Sequence, residues 1–262
     1  MEREDVENLI FSLAHARARS GEVEAGALFA VLERDTEVVG CVLRTPPHKV
    51  LVTDLPAAAA PIVVEALVQR FDRIPTVLGP EPAAEAVARA WAERCGGGWR
   101  RGMPQRIYRL DRVVPPTDVP GRLRRASAAD VDLAVEWGKG FARDAGVQFA
   151  TGRDAVERWV ARGALFFWES DVGPVSMAAA SGQTPHGARI GYVYTPPEHR
   201  RRGYAGACVA ALSQRMLDSG LEFCVLYTDL GNPTSNAIYQ RVGYQPIGDV
   251  RDFDVIPPEA MS

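Results

Sequence analysis

Two periodicities alternate along the chain. Apolar residues recur at helical spacing near Asp5–Arg19, Ala58–Phe71 and Ala83–Arg94, whereas Leu28–Glu33, Val38–Leu43, Val50–Thr53 and Arg106–Leu110 read as strands. Further on, the pattern predicts helices over Ala129–Asp144 and Asp154–Ala161, then strands at Leu165–Glu169, Val175–Ser181 and Arg189–Thr195. A long helix at Tyr204–Asp218, a strand at Phe223–Thr228, a short helix at Thr234–Arg241 and a strand at Gln245–Phe253 complete the series. The long helix is well marked, with Ala205, Cys208, Val209, Leu212 and Met216 at helical spacing and Gly220 available as a left-handed cap.

Between the two series, Val113–Gly121 contains Pro115, Pro116 and Pro120, none of which can donate a backbone hydrogen bond. The segment reads as an extended connector and divides the chain into residues 1–116 and 117–262. The order of elements is alike on the two sides, Ala27-Leu28-Phe29 recurs as Ala164-Leu165-Phe166, and Thr45-Pro46-Pro47-His48 is echoed by Thr184-Pro185-His186. Duplication of one α/β unit accounts for these matches; chance identity of short Ala-rich and Pro-rich words is the alternative.

Composition narrows the partners. The 262 residues are 47% hydrophobic and 24% charged, as in an ordinary globular chain, and the formal net charge of −3 offers no basic field for nucleic acid. Cys41, Cys95, Cys208 and Cys224 form no C-x-x-C pair, so reduced thiols and a cytoplasmic location are expected. No apolar run reaches the roughly 18 residues of a spanning helix, and the opening Met-Glu-Arg-Glu-Asp is acidic, so no membrane or export segment is expected. The four histidines are scattered and no zinc spacing occurs, which leaves no metal site to name. P-loop, dinucleotide-binding and G-x-S-x-G patterns are also absent.

The chemistry concentrates after Ile190. A strand bearing Ile190, Tyr192 and Tyr194 breaks at Pro196-Pro197, and an Arg/Gly-rich turn, Arg200-Arg201-Arg202-Gly203, opens the long helix. Free N–H groups at the first helical turn, a residue without a side chain and three guanidinium groups suit a pyrophosphate. The bland alternative, a solvated charged turn, leaves three like charges repelling one another. A second block, Asn232-Pro233-Thr234-Ser235-Asn236-Ala237-Ile238-Tyr239, follows the next strand and sets Asn236 and Tyr239 three residues apart on one helical face.

Arg200-Arg201-Arg202-Gly203-Tyr204-Ala205 resembles the Arg/Gln-x-x-Gly-x-Gly/Ala signature of the GNAT-superfamily N-acetyltransferases, and the second block is similar to that family's Asn-bearing loop and short helix. The resemblance covers about residues 122–255. It implies an α/β fold of two GNAT-like mixed-sheet domains in tandem, mostly antiparallel strands flanked by helices, the second binding acetyl-CoA and releasing coenzyme A. It further implies that backbone at Val193, Tyr194 and Thr195 pairs with the pantetheine arm and polarises the thioester carbonyl. Arg200, Arg201, Arg202, Gly203, Tyr204 and Ala205 would meet the pyrophosphate, Asn232 and Asn236 the rest of the cofactor, and Tyr239 would be the general acid for the leaving thiolate. The family reading gives direct transfer of acetyl to a primary amine on a small molecule or peptide. A non-catalytic acyl-CoA-binding regulatory protein is the alternative.

Two departures stand out: Thr195 takes a position where the family has an apolar residue, and Pro196-Pro197 stiffens the loop. Glu136, Glu169 and Asp229, or an ordered water, are candidates for the base, and Tyr192 and Tyr194 could line the site. Trp137, Phe141 and Trp159 stand where an acceptor pocket or plain core is expected. The first half has no glycine or arginine in its corresponding turn, Asp54–Pro61, and is expected to be a degenerate copy that does not bind the cofactor. Through that half or an exposed strand, a homodimer is compatible with the sequence.

Overall fold

The computed structural model describes residues 26–146 and 152–260; the helix expected at Asp5–Arg19 lies outside them. The chain divides into two compact units, one formed by residues 1–107, 228–231 and 247–262, the other by 108–227 and 232–246. The units therefore exchange chain segments, and the crossing from the first to the second falls between Ile107 and Tyr108, inside a strand and before the proline-rich connector.

The first unit contains β1 (Leu28–Arg34), β2 (Glu37–Arg44), β3 (Val50–Val52), α1 (Ala60–Val68), β4 (Thr76–Gly79), α2 (Glu81–Cys95) and most of β5 (Gly98–Leu110). Strands β1, β2 and β3 are antiparallel, and β3 then runs parallel to β4 through Val50↔Val77 and Leu51↔Leu78. Leu67, Val77, Val87 and Trp91 pack the helices onto the sheet.

The second unit contains β6 (Arg122–Arg125), α3 (Val131–Asp144), α4 (Arg153–Arg162), β7 (Leu165–Ser170), β8 (Gly173–Gln183), β9 (Gly187–Tyr194), α5 (Tyr204–Asp218), β10 (Phe223–Asp229, up to Tyr227) and α6 (Pro233–Val242). Its strands lie in the order β10-β9-β8-β7-β6, antiparallel except for the β9/β10 pair. One face carries α5 and α6 over Phe166, Ala188, Ile190 and Leu226; the other carries α3 and α4 over Leu165, Phe167 and Met177. Burying each such large apolar side chain contributes roughly 1.5–3 kcal/mol.

The last strand, β11 (Gln245–Ile256), returns from Ile247 onward to the first unit and pairs antiparallel with β4, Arg251↔Gly79 through Asp254↔Thr76. Side chains lock this register: Lys49 pairs with the buried Asp252, Thr76 donates to Asp254 over 3.1 Å, and Arg251 reaches Glu81 over 3.0 Å. Mixed, mostly antiparallel sheets flanked by helices are thus found in both units. Three features escape the sequence pattern. Strand β4 is only four residues long, β6 is Arg-Leu-Arg-Arg without alternation, and β5 begins at Gly98 in a charged stretch interrupted by Pro104.

The free thiols of Cys208 and Cys224 are buried, which pushes both up to about 12 and makes them inert packing groups. No described helix is long and apolar enough to cross a membrane, and no described cluster of side chains could hold a metal ion.

Candidate functional site

Strand β9 is irregular where the sequence reads as a plain alternating strand. Tyr192 has φ +55°, and the β8 register slips between Met177↔Tyr194 and Ala179↔Gly191, which marks a bulge. The extra residue reverses the facing of the side chains. Ala188 and Ile190 point to α5, while Tyr192 and Tyr194 pack on the α3 side, so Ile190, Tyr192 and Tyr194 do not share one face.

Parallel pairing of β9 with β10 is confined to Gly187–Arg189 against Phe223–Val225. From Ile190 to Tyr194 the ladder continues on the β8 side alone, leaving β9 with an open edge of backbone donors and acceptors. That edge includes Val193 and Tyr194, and Thr195 follows, its hydroxyl held 2.9 Å from that of Ser176. Ser176 is fully buried and also donates to the Tyr194 carbonyl at 3.1 Å.

Two mid-helix glycines make room for the relocated tyrosines. A Cβ on Gly138 would collide with the Tyr192 hydroxyl and one on Gly140 with the Tyr194 hydroxyl. Tyr192 in turn donates to the Ala134 carbonyl at 3.4 Å. Glycine recurring inside an apolar helix was the available signal for this close approach. Trp137 packs on Phe167 and Tyr194 as part of the core, whereas Phe141 and Trp159 pack on Tyr192 as half-buried rings at its margin.

After Pro196 a single 3-10 turn (Pro197–His199) leads into the arginine loop. Arg200 is a brace: its Nε donates to the Thr195 carbonyl at 2.9 Å, its Nη2 pairs with Asp144 at the end of α3, and its guanidinium lies 5.7 Å from the Tyr194 ring centroid. Arg201 and Arg202 are exposed and form no ion pair with any described residue. Arg201 (φ +63°) and Gly203 (φ +82°) both adopt left-handed backbone, which only glycine does without strain. Gly203 is the N-cap of α5 and provides no capping side chain, so the first amides of the helix, from Tyr204 and Ala205 onward, have no side-chain cap. The Tyr204 ring itself is buried under α5.

Helix α6 lies against the first turn of α5, where Gly206 faces Ile238. Asn232 caps α6 by accepting from the Ser235 amide at 3.0 Å. Asn236 donates to the Asn232 carbonyl at 2.7 Å and accepts from the Tyr108 hydroxyl at 2.9 Å. Tyr239 is buried, and its hydroxyl has no hydrogen-bond partner among the described residues. Burial pushes the Tyr239 phenol up to about 12, which keeps it protonated at neutral pH.

The carboxylates considered for the base have varied surroundings. Glu136 is exposed on α3, and Glu169 is tied to Arg124 at 2.7 Å and to Arg122 at 3.3 Å. Asp229 belongs to the first unit and accepts from the Gly231 amide at 2.7 Å.

Residues 170–252 match a family model described as FR47-like protein, which lies within GNAT. Among solved structures, the chain is similar to a GCN5-related N-acetyltransferase from Kribbella flavida (18% identity, TM-score 0.63, covering 94% of each chain). A GCN5-related N-acetyltransferase from Sphaerobacter thermophilus aligns over 97% of this chain and 94% of its own, with 18% identity and a TM-score of 0.60. A tandem GNAT protein from the clavulanic acid biosynthesis pathway aligns over 95% and 94%, with 16% identity and a TM-score of 0.52. No curated protein sequence matches the chain significantly. The architecture is the GNAT fold in its tandem form. The segment from Ser170 to Asp252 is the part that resembles the FR47-like model.

Proposed function

We propose that the second unit is an acyltransferase that binds acetyl-CoA and transfers its acetyl group directly to a primary amine of a small molecule or peptide. The observation that carries this reading is the open β9 edge running into an arginine loop and a glycine-capped helix start. When bound, acetyl-CoA supplies an activated acetyl thioester. The β9 edge can take an extended amide-bearing arm as an added strand, and a backbone N–H near Val193–Thr195 orients and polarises the thioester carbonyl. Amides at the start of α5, with Arg201 and Arg202, neutralise the pyrophosphate.

Tyr239 holds its proton at the phenolic oxygen until the C–S bond breaks and gives it to the departing sulfur as the C–N bond forms. The attacking nitrogen loses one proton to solvent water, and the Tyr239 phenolate takes one back from solvent, so the proton the thiolate gains is balanced by the one the amine gives up. Asn232 and Asn236 serve here by fixing α6.

Calorimetric titration with acetyl-CoA, run beside a CoA-release assay on amines, amino acids and peptides, tests the reading. Binding with release supports it. Binding without release across the panel would point to a non-catalytic acyl-CoA-binding protein, and absence of binding would overturn the site.

A further inference from the structure

Tyr108 is fully buried in the second unit, although it lies ahead of the proline-rich connector and at the point where the chain leaves the first unit. It meets α6 at three places on one helical face. Its hydroxyl donates to Asn236 at 2.9 Å, Gln240 Nε2 approaches that hydroxyl at 3.5 Å, and its ring centroid lies 6.5 Å from that of Tyr239. Residues 236, 239 and 240 are one turn of the helix, so a single side chain grips the turn that carries the proposed acid. On its other side the Tyr239 ring meets Tyr244 at 6.1 Å, and the Tyr244 hydroxyl is fixed to Ser213 at 2.8 Å.

Tyr239 has no hydrogen bond of its own to a described residue, so the placement of its hydroxyl depends on the ring walls and on the rotation and translation of α6. Tyr108 supplies one wall and, through Asn236, sets the helix. A phenylalanine would fill the same core volume but would remove the bond to Asn236 Oδ1 and the approach of Gln240, leaving Asn236 its bond to the Asn232 carbonyl. The hydroxyl is thus the part of Tyr108 that packing alone does not call for.

We infer that Tyr108 is a positioning residue for acetyl transfer, acting through Asn236 and α6 on Tyr239; the inference rests on the acetyl-transfer reading above. Y108F tests it in the full chain. The expected result is a kcat lower by about tenfold, an acetyl-CoA KM within about twofold of wild type and no further loss when the change is added to Y239F. Asn236→Ala, which removes the acceptor instead, should lower kcat at least as much and should not multiply with Y108F. Wild-type turnover in Y108F, or the same fractional loss with and without Tyr239, would overturn the inference while leaving acetyl transfer intact. A wild-type protein that neither binds acetyl-CoA nor releases CoA would overturn both.

Discussion

The parallel strand pairs of the two units start alike and end differently. In the first unit, Gly79 lets β4 press against β3 at its end; a Cβ there would stand 2.5 Å from the Val52 carbonyl oxygen. The pair stays closed, and the chain passes through buried Leu55 into α1, whose N-cap is Ala59 and which carries Pro61 near its start. In the second unit, β9 leaves β10 after Arg189, bulges at Tyr192 and leads into Gly203 by way of two arginines that form no ion pair with a described residue. The next helix differs as well. α2 buries Ala83, Val87 and Trp91, where α6 holds a buried tyrosine whose hydroxyl has no partner among the described residues. The two strand pairs thus end closed in the first unit and with an open β9 edge in the second, according to a handful of residues at the strand ends.

Exchanging charge at the arginine loop should have the largest effect. Arg201→Glu combined with Arg202→Glu removes two unpaired cations and sets two anions where the pyrophosphate would lie, so calorimetry should show acetyl-CoA affinity reduced by roughly 100-fold or more. Both side chains are exposed, so the melting temperature should change little. Asp54→Arg, in the corresponding turn of the first unit, should leave the affinity as it was. An effect there would break the comparison.

Tyr239→Phe should follow, lowering kcat by about 100-fold with little change in acetyl-CoA affinity, because it deletes a proton donor and keeps the ring. Its pH signature has a defined sign. The folded pKa, about 12, lies above the ordinary 10.0, so the stability contributed by burying the neutral phenol is complete below about pH 10 and is lost as pH rises toward 12. Alkaline unfolding of Y239F should lose that component, read as the difference from wild type because Tyr227 and Tyr244 are also raised.

The course of the open β9 edge also depends on Tyr192 being held on the α3 side. Gly138→Ala places a methyl group against the Tyr192 hydroxyl and should cost roughly 1–3 kcal/mol in denaturant unfolding. Gly206→Ala is the control, since its Cβ would meet Ile238 at an ordinary 3.6 Å. Alanine is the better helix former by up to about 1 kcal/mol, so that variant should be neutral or stabilising.

These sites show what a linear pattern encodes. Helix α5, its glycine start and the Asn-to-Tyr spacing of α6 are local, and they are legible because periodicity and capping act within a few residues. The choice of partner is not local. Nothing in Gln245–Ile256 announces that it pairs with β4, a strand far back in the sequence, and although Gly191 marks the place where β9 can bulge, it does not say which face Tyr192 and Tyr194 then take. Tyr108 escaped notice for the same reason, because its role appears only once Asn236 is beside it.

Arg200 gives the smallest expected effect and the most discriminating sign. The sequence groups it with Arg201 and Arg202 as a phosphate ligand, whereas the structure occupies its guanidinium with Thr195, Asp144 and the Tyr194 ring. Asp144→Asn deletes one of these holds. Its ion pair leaves the two side chains 44% and 35% exposed, so solvent screening limits the loss of stability to under about 1 kcal/mol. If Arg200 braces the loop, acetyl-CoA affinity should fall by about two- to threefold, because the loop loses part of its preorganisation. If Arg200 instead turns to meet phosphate when the cofactor binds, wild type must first break the Asp144 pair, and the variant should bind more tightly. Titrations of both proteins at low ionic strength, where surface charge is least screened, separate the two by direction alone.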